Sequence, residues 1–89
     1  MDKIIYNVLD TLNANGYEAY LIGGYVRNYL LKDKSFVFDI DICTNATVKE
    51  IVPLFSEYNI KTFEYGNVLF YIGDYKFEIT TFRKELNYK

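Results

Sequence analysis

The chain has 89 residues and a net charge of −2, from twelve acidic and ten basic side chains, so this domain alone is not expected to have a general electrostatic affinity for nucleic acid. Hydrophobic residues make up 51%, including ten tyrosines and seven phenylalanines, which predicts one globular domain with an aromatic-rich core. One cysteine and no histidine exclude a Cys/His zinc site, a histidine general base and an internal disulfide, leaving carboxylates as the metal ligands to look for.

The first predicted element is an amphipathic helix. Apolar residues recur at helical spacing at Ile4, Ile5, Val8, Leu9 and Leu12. Asp2 is a possible N-cap, and Asn15-Gly16 supplies a left-handed stop. The N-terminus lacks a basic region followed by an apolar block, and no apolar stretch approaches the length of a membrane span, so we expect a cytoplasmic protein.

A glycine pair follows the first predicted strand. Residues 17–22 are nearly all apolar, which is typical of a strand buried on both faces. Gly23-Gly24 is then predicted to turn the chain into a short helix containing Val26, Tyr29 and Leu30. Such a turn would let backbone amides approach an anion, and Arg27 could add a contact to phosphate. The alternative is a tight turn beside a solvated Arg27.

Two carboxylates lie in the next predicted strand. Alternation places Asp39 and Asp41 on one face, opposite the apolar set Phe36, Phe38, Ile40 and Ile42. At about 3.3 Å of rise per residue, the Cα atoms of the two aspartates lie about 6.6 Å apart. Two carboxylates at this spacing can converge on one cation or on a pair of cations. The alternative is a strand with one solvated face.

The second half of the chain predicts a helix and three strands. Thr44-Asn45-Ala46-Thr47 offers N-caps for a helix ending near Tyr58, and Pro53 should leave it bent or short. Strands are predicted at 60–64, 68–72 and 75–82, with Gly73-Asp74 joining the last two as a hairpin.

The last predicted strand carries a third acid. Alternation puts Glu78 and Thr80 on the face opposite Phe77 and Ile79. Glu78 could therefore approach the two aspartates from a neighbouring strand, or it could be an ordinary exposed residue of a hairpin. Cys43 is interpreted as a small buried residue.

Four motifs in chain order resemble the head domain of class II tRNA nucleotidyltransferases, the bacterial CCA-adding and poly(A) polymerase group. They are residues 19–27 (AYLIGGYVR), 39–42 (DIDI), 44–47 (TNAT) and 78–83 (EITTFR). The resemblance implies an α+β, polymerase-β-like nucleotidyltransferase fold, with a small mixed sheet of about five strands and helices packed against it. It also implies that residues 1–89 form a head domain without the family's neck, body and tail, and so belong to a longer enzyme.

The resemblance assigns roles to several residues. In the family, the matching aspartates hold Mg²⁺, which implies a metal site at Asp39 and Asp41, and the Gly-Gly and Arg positions bind the incoming nucleoside triphosphate, CTP or ATP. Nucleotide binding is thereby implied for Gly23, Gly24 and Arg27. Glu78 matches an acid of the family's motif and is included as a catalytic residue with the two aspartates. The implied reaction adds CMP and AMP to the tRNA 3′ end, which regions outside this chain would hold.

The chain also departs from the family pattern. Asn28 stands where the family has Asp, and Tyr65-Gly66-Asn67 lacks the family's His and Thr. The chain ends at Lys89, before the family's Arg-Arg-Asp motif. Two alternatives therefore stand beside the catalytic head: a non-catalytic nucleotide-binding or interaction module, and a minimal stand-alone nucleotidyltransferase of toxin-antitoxin type. Without a neck, we expect exposed aromatic residues to favour self-association.

Overall fold

A computed structural model describes residues 3–28 and 36–82, and for residues 25–28 and 36 it describes the backbone alone. The described residues form an α+β domain in which five strands make one sheet of order β1-β2-β5-β4-β3. The elements are α1 (Lys3–Ala14), β1 (Ala19–Asn28), β2 (Phe36–Thr44), α2 (Val48–Leu54), β3 (Lys61–Phe63), β4 (Asn67–Ile72) and β5 (Tyr75–Thr81). The sheet is mixed, because β2 and β5 are parallel while the other pairs are antiparallel. The predicted fold class is confirmed.

Helix α1 confirms the first predicted element. It ends as expected at Asn15-Gly16, where Gly16 has a φ of 91° and the amide of Tyr17 donates to the Leu12 carbonyl at 3.0 Å. The proposed cap Asp2 lies outside the described residues. No helix among the described residues is long and apolar enough to span a bilayer.

Strand β1 contradicts the predicted turn at Gly23-Gly24. The strand continues to Asn28, and residues from Gly23 onward pair with β2, from Gly23 opposite Asp41 to Asn28 opposite Phe36. The reason is the length of β2, which satisfies these backbone groups in a sheet ladder rather than a helix. A bulge between Leu21 and Gly23 absorbs the irregularity. Tyr29 and Leu30 of the predicted helix lie outside the described residues.

The burial predicted for the start of β1 was also wrong. Tyr20 and Ile22 are 54% and 64% exposed, and Leu21 is 40% exposed. The strand lies at an edge of the five-stranded sheet, and its bulge turns Ile22 out of the ladder. An apolar run therefore marked an edge strand here, rather than a strand buried on both faces.

Helix α2 is short, as Pro53 predicted, but it ends at Leu54 rather than near Tyr58. Thr47 caps it in a capping box, in which the Thr47 side chain accepts from the Glu50 amide and the Glu50 carboxylate accepts from the Thr47 amide. The three later strands and the hairpin turn at Gly73 form where they were predicted, with no end shifted by more than one residue.

The hydrophobic core lies on one face of the sheet, covered by both helices. Its most buried members are Val8, Leu12, Ile40, Ile42, Ala46, Ile51, Phe55, Val68, Phe70, Phe77 and Ile79. Phe70 is central, with ring centroids 5.0 Å from Phe55, 5.4 Å from Tyr58 and 5.5 Å from Phe77. Because the helices occupy this face, the acids of the alternating strands lie on the other one.

Candidate active site on the carboxylate face

The three predicted acids share one face of the sheet. In β2, Ile40 and Ile42 are 3% and 0% exposed in the core, so the intervening Asp39 and Asp41 lie on the opposite face. Parallel pairing of β2 with β5 puts Asp41 in register with Glu78. We call the face of the sheet that carries Asp39, Asp41 and Glu78 the carboxylate face. The prediction that Glu78 approaches the aspartates from a neighbouring strand is confirmed.

The strand geometry sets the spacing of these acids. Asp41 and Glu78 are register partners on adjacent strands, whose separation is about 4.8 Å. Asp39 lies two residues away along β2 and is 8% exposed, while Asp41 and Glu78 are half-buried. Lys76 is the register partner of Asp39, so it brings a positive charge to the same face. Within the part of the chain that the structure describes, three acidic residues and one lysine therefore lie close together on this face.

The donor set suits a hard divalent cation. Among the described residues, no group of three or more His, Cys, Asp or Glu side chains is arranged to hold a metal ion by itself. Mg²⁺ does not need such a group, because it is usually bound through one or two carboxylates together with water and substrate phosphates. The neighbouring Asp39 and Asp41 supply that number of carboxylates, and their oxygen chemistry fits the ion.

The glycine pair lies beside the aspartates although it forms no turn. Gly23 pairs with Asp41, and Gly24 pairs with Ile40. A Cβ atom on Gly24 would lie 3.0 Å from the Ile40 Cδ1 atom, so the glycine permits close packing against the core residue between the two acids. The backbone of Arg27 pairs with Val37, two residues before Asp39; its side chain lies outside the described part of the chain, as does the whole of Arg83.

A hydrogen-bonded corner fixes the end of β2. The Thr44 hydroxyl donates to the Glu18 carbonyl at 2.5 Å and accepts from the Ala46 amide at 3.2 Å. The Asn45 side chain accepts from the Glu18 amide at 2.8 Å, and the Thr81 hydroxyl donates to the Ala46 carbonyl at 2.7 Å. The TNAT motif therefore ties β1, β2 and β5 together directly beyond the carboxylates.

Comparison with known proteins identifies the family. A family model described as the poly(A) polymerase head domain matches residues 19–89. The chain belongs to this family. The head domain is 41% identical, over 81 residues, to a CCA-adding enzyme of Oceanobacillus iheyensis, covering 91% of this chain and 20% of that protein. It is 38% identical, over 92 residues, to a CCA-adding enzyme of Staphylococcus aureus strain Newman, covering 99% of this chain and 22% of that protein.

The head domain thus spans about a fifth of the length of the curated relatives it matches. The resemblance inferred from the four motifs is confirmed, and both of these relatives are named CCA-adding enzymes. The carboxylate face with Asp39, Asp41 and Glu78 therefore belongs to a head domain of this family.

Two residues of the carboxylate face of this head domain, Lys76 and Asn67, were not predicted from the sequence. Lys76 could have been found, since it lies two positions before Glu78 in the same alternating strand. Asn67 is 2% exposed, and its Nδ2 atom donates a hydrogen bond to the Glu78 Oε2 atom. Its only signal in the sequence is its place after Gly66, where this chain departs from the family pattern.

Proposed function

We propose that this chain is the catalytic head domain of a metal-dependent nucleotidyltransferase that adds CMP and AMP to the 3′ end of tRNA. The observation that carries the proposal is the alignment of Asp41 with Glu78 across β2 and β5, with Asp39 on the same face. Matches to CCA-adding enzymes over nearly the whole chain support the same conclusion. In this proposal, residues 1–89 act as one unit together with RNA-binding regions of a larger enzyme.

The proposed reaction transfers a nucleotidyl group. The oxygen of the RNA 3′-hydroxyl forms a bond to the α-phosphorus of CTP or ATP, and the bond from that phosphorus to the bridging oxygen of pyrophosphate breaks. The hydroxyl proton leaves as the new bond forms. Glu78, next to Asp41, places a carboxylate where it can accept that proton.

Asp39 and Asp41 are the residues that would hold Mg²⁺. When bound, Mg²⁺ neutralises charge on the triphosphate and makes the hydroxyl easier to deprotonate. The aspartates contribute by fixed position, since each lies between core residues of a strand that is paired on both sides. Lys76 limits the repulsion between the acids before a ligand arrives.

The triphosphate side of the proposed site is the β1 segment. Gly23 is in register with Asp41, so the phosphates can pass close to the backbone there without meeting a side chain. Gly24 and Arg27 complete the proposed nucleotide-binding set, with Arg27 able to neutralise phosphate charge. The absence of a turn at Gly23-Gly24 removes the expected helix N-terminus, so side-chain charge carries more of this binding.

Calorimetric titration of the protein with ATP or CTP in the presence of Mg²⁺ tests the proposal. Wild-type protein should bind, and Asp41→Asn should weaken binding at least about tenfold, which corresponds to about 1.4 kcal/mol. Asp74→Asn is the matched control, because it removes the same charge from the exposed hairpin turn. Equal affinities in wild type and Asp41→Asn would show that the carboxylate face is not the binding site.

A second candidate is a nucleotide-binding or interaction module without catalysis. The observation that favours it is the continuation of β1 through Gly23-Gly24, which leaves no phosphate-binding turn before a helix in the described residues. Incubation with labelled CTP or ATP, Mg²⁺ and a tRNA lacking its 3′ end separates the two. Incorporation of label excludes the module, while binding without incorporation favours it.

Partners and location complete the proposal. The domain is proposed to act in the cytoplasm on nucleoside triphosphates and on a tRNA 3′ end presented by other regions. Tyr20 and Tyr71 are each 54% exposed and Tyr65 is 77% exposed, which supports the proposed self-association of the isolated domain. Sedimentation at increasing protein concentration tests it, and a monomer throughout would contradict it.

A further inference from the structure

We propose that Asn67 is a positioning residue that holds the carboxylate of Glu78 in place beside Asp41. Asn67 opens β4 and is 2% exposed, and its Nδ2 atom donates to the Glu78 Oε2 atom. Glu78 is in turn the register partner of Asp41 on β2. The inference concerns the orientation of one catalytic acid, and it rests on the proposed function for the role of that acid.

The strand register explains how the amide reaches the acid. Asn67 pairs with Thr80 of β5, while the residue opposite Glu78 is Leu69. Asn67 and Glu78 are therefore diagonal neighbours on one face, within reach of polar side chains. The backbone is held at this point, since the amide of Thr81 donates to the Gly66 carbonyl at 2.9 Å. With Oε2 engaged by Asn67, Oε1 is the oxygen of Glu78 that remains to accept a proton in the proposed reaction.

The carbonyl oxygen of the Asn67 side chain indicates that a contribution to stability does not explain why an asparagine lies at this position. The Oδ1 atom is buried and has no hydrogen-bond partner within the described residues. Leaving a buried carbonyl oxygen unpaired opposes folding, whereas an apolar side chain of similar size has no such penalty. The next residue, Val68, is apolar and 0% exposed. An asparagine here is therefore best explained by the bond that it makes to Glu78.

The two roles predict opposite results for Asn67→Leu, which keeps the size of the side chain and removes its amide. A structural role predicts a lower melting temperature. A positioning role predicts an unchanged or higher melting temperature, because the unpaired oxygen is gone, together with weaker binding of a metal-nucleotide complex. Glu78 places negative charge beside the metal-holding Asp41, so a Glu78 carboxylate that turns away should weaken binding of the cation. Loss of a residue that acts behind a metal site typically reduces affinity or activity about 10–100-fold.

The experiment measures binding of Mn²⁺ with ATP by calorimetry, and thermal unfolding, in four proteins. Wild type, Asn67→Leu, Asp41→Asn and Asn59→Leu are compared, where Asn59→Leu makes the same chemical change at an exposed position. We expect Asn67→Leu and Asp41→Asn to lose at least tenfold in affinity while Asn59→Leu matches wild type. Wild-type affinity in Asn67→Leu, with Asp41→Asn impaired, overturns the inference and leaves the proposed function standing.

A second variant tests the hydrogen bond itself, in the same binding experiment. Asn67→Asp keeps the shape of the side chain but replaces the donor facing Glu78 with an acceptor. Loss of affinity in a folded Asn67→Asp protein upholds the inference, and wild-type affinity overturns it.

A readout without ligand separates this inference from the proposed function. In ¹⁵N spectra, the side-chain amide protons of Asn67 should exchange with water more slowly than those of Asn59, and Glu78→Gln should speed up their exchange. If wild type binds no metal-nucleotide complex, the proposed function fails, while slow exchange that depends on Glu78 still supports the positioning contact. Exchange of the Asn67 amide at the rate of Asn59 overturns the inference.

Discussion

Replacing Thr44 by valine tests the hydrogen-bonded corner that holds the end of the carboxylate-bearing strand. The substitution keeps the shape of the side chain and removes one hydroxyl, so it leaves no cavity in a residue that is 0% exposed. Two hydrogen bonds are lost: the one donated to the Glu18 carbonyl at 2.5 Å and the one accepted from the Ala46 amide at 3.2 Å.

The expected loss follows from the burial of the two partners. Ala46 is 0% exposed, so its unpaired amide should cost about 1–3 kcal/mol, while the half-buried Glu18 carbonyl can find water and should cost about 0.5–1.5 kcal/mol. Together the two losses amount to about 1.5–4.5 kcal/mol. A domain of this size is expected to have a free energy of unfolding of about 4–13 kcal/mol, so the change removes a large share of its stability.

Urea unfolding followed by far-ultraviolet circular dichroism measures this loss. The midpoint should fall while the dependence of the free energy on urea stays constant, because the surface exposed on unfolding does not change. Thr44→Ser is the control, since it keeps the hydroxyl and should lose only about 1 kcal/mol for its missing methyl group. The reasoning would be refuted if the free energy of unfolding of Thr44→Val were within about 0.5 kcal/mol of the wild-type value. It would also be refuted if Thr44→Ser were less stable than Thr44→Val.

Three further substitutions, the last with a matched control, test local features of the fold. Gly16→Ala forces a side chain into a φ of 91° and should cost about 1–2 kcal/mol; an unchanged melting temperature would contradict it. Thr47→Ala removes the cap of α2 and should lower the free energy of unfolding, measured in urea, by about 1 kcal/mol. Equal urea midpoints for the variant and wild type would contradict this. Phe70→Leu weakens ring packing in the core, where each aromatic pair contributes about 0.5–1.5 kcal/mol. Tyr71→Leu, at a neighbouring residue that is 54% exposed, is the control and should hardly change the free energy of unfolding. Equal losses of stability in the two variants would count against the assignment of the core.

The carboxylate face could be predicted because it depends on one strong local rule. In β2 the apolar and acidic residues alternate, and only one of the two faces can be buried under helices. Glu78 follows the same rule in β5, between Phe77 and Ile79, both 0% exposed. The parallel register that aligns Asp41 with Glu78 depends on tertiary structure and cannot be read from local sequence. Alternation alone, however, places each acid on the face of its strand opposite the core.

The parts that sequence reasoning missed depend on longer-range partners. Gly23-Gly24 has the composition of a turn, but whether it turns depends on whether another strand can pair with the residues that follow, and β2 does. An apolar run such as 17–22 does not reveal whether its strand will be central or at an edge. Asn67 carried no local pattern, because its significance lies in a diagonal contact across two strands.

The position of the acids within the sheet links the core to the proposed chemistry. β2 and β5 are interior strands, paired on both sides, so their backbones have little freedom at Asp41 and Glu78. The residues between and beside the acids, Ile40 and Ile42, are locked into the core at 3% and 0% exposure. Any repacking of these side chains would move the carboxylates on the opposite face, since both belong to one pleated backbone. The precision of such a site is therefore set mainly by the hydrophobic face beneath it, and the hydrogen bond from Asn67 adjusts the one acid whose side chain reaches in from the neighbouring strand.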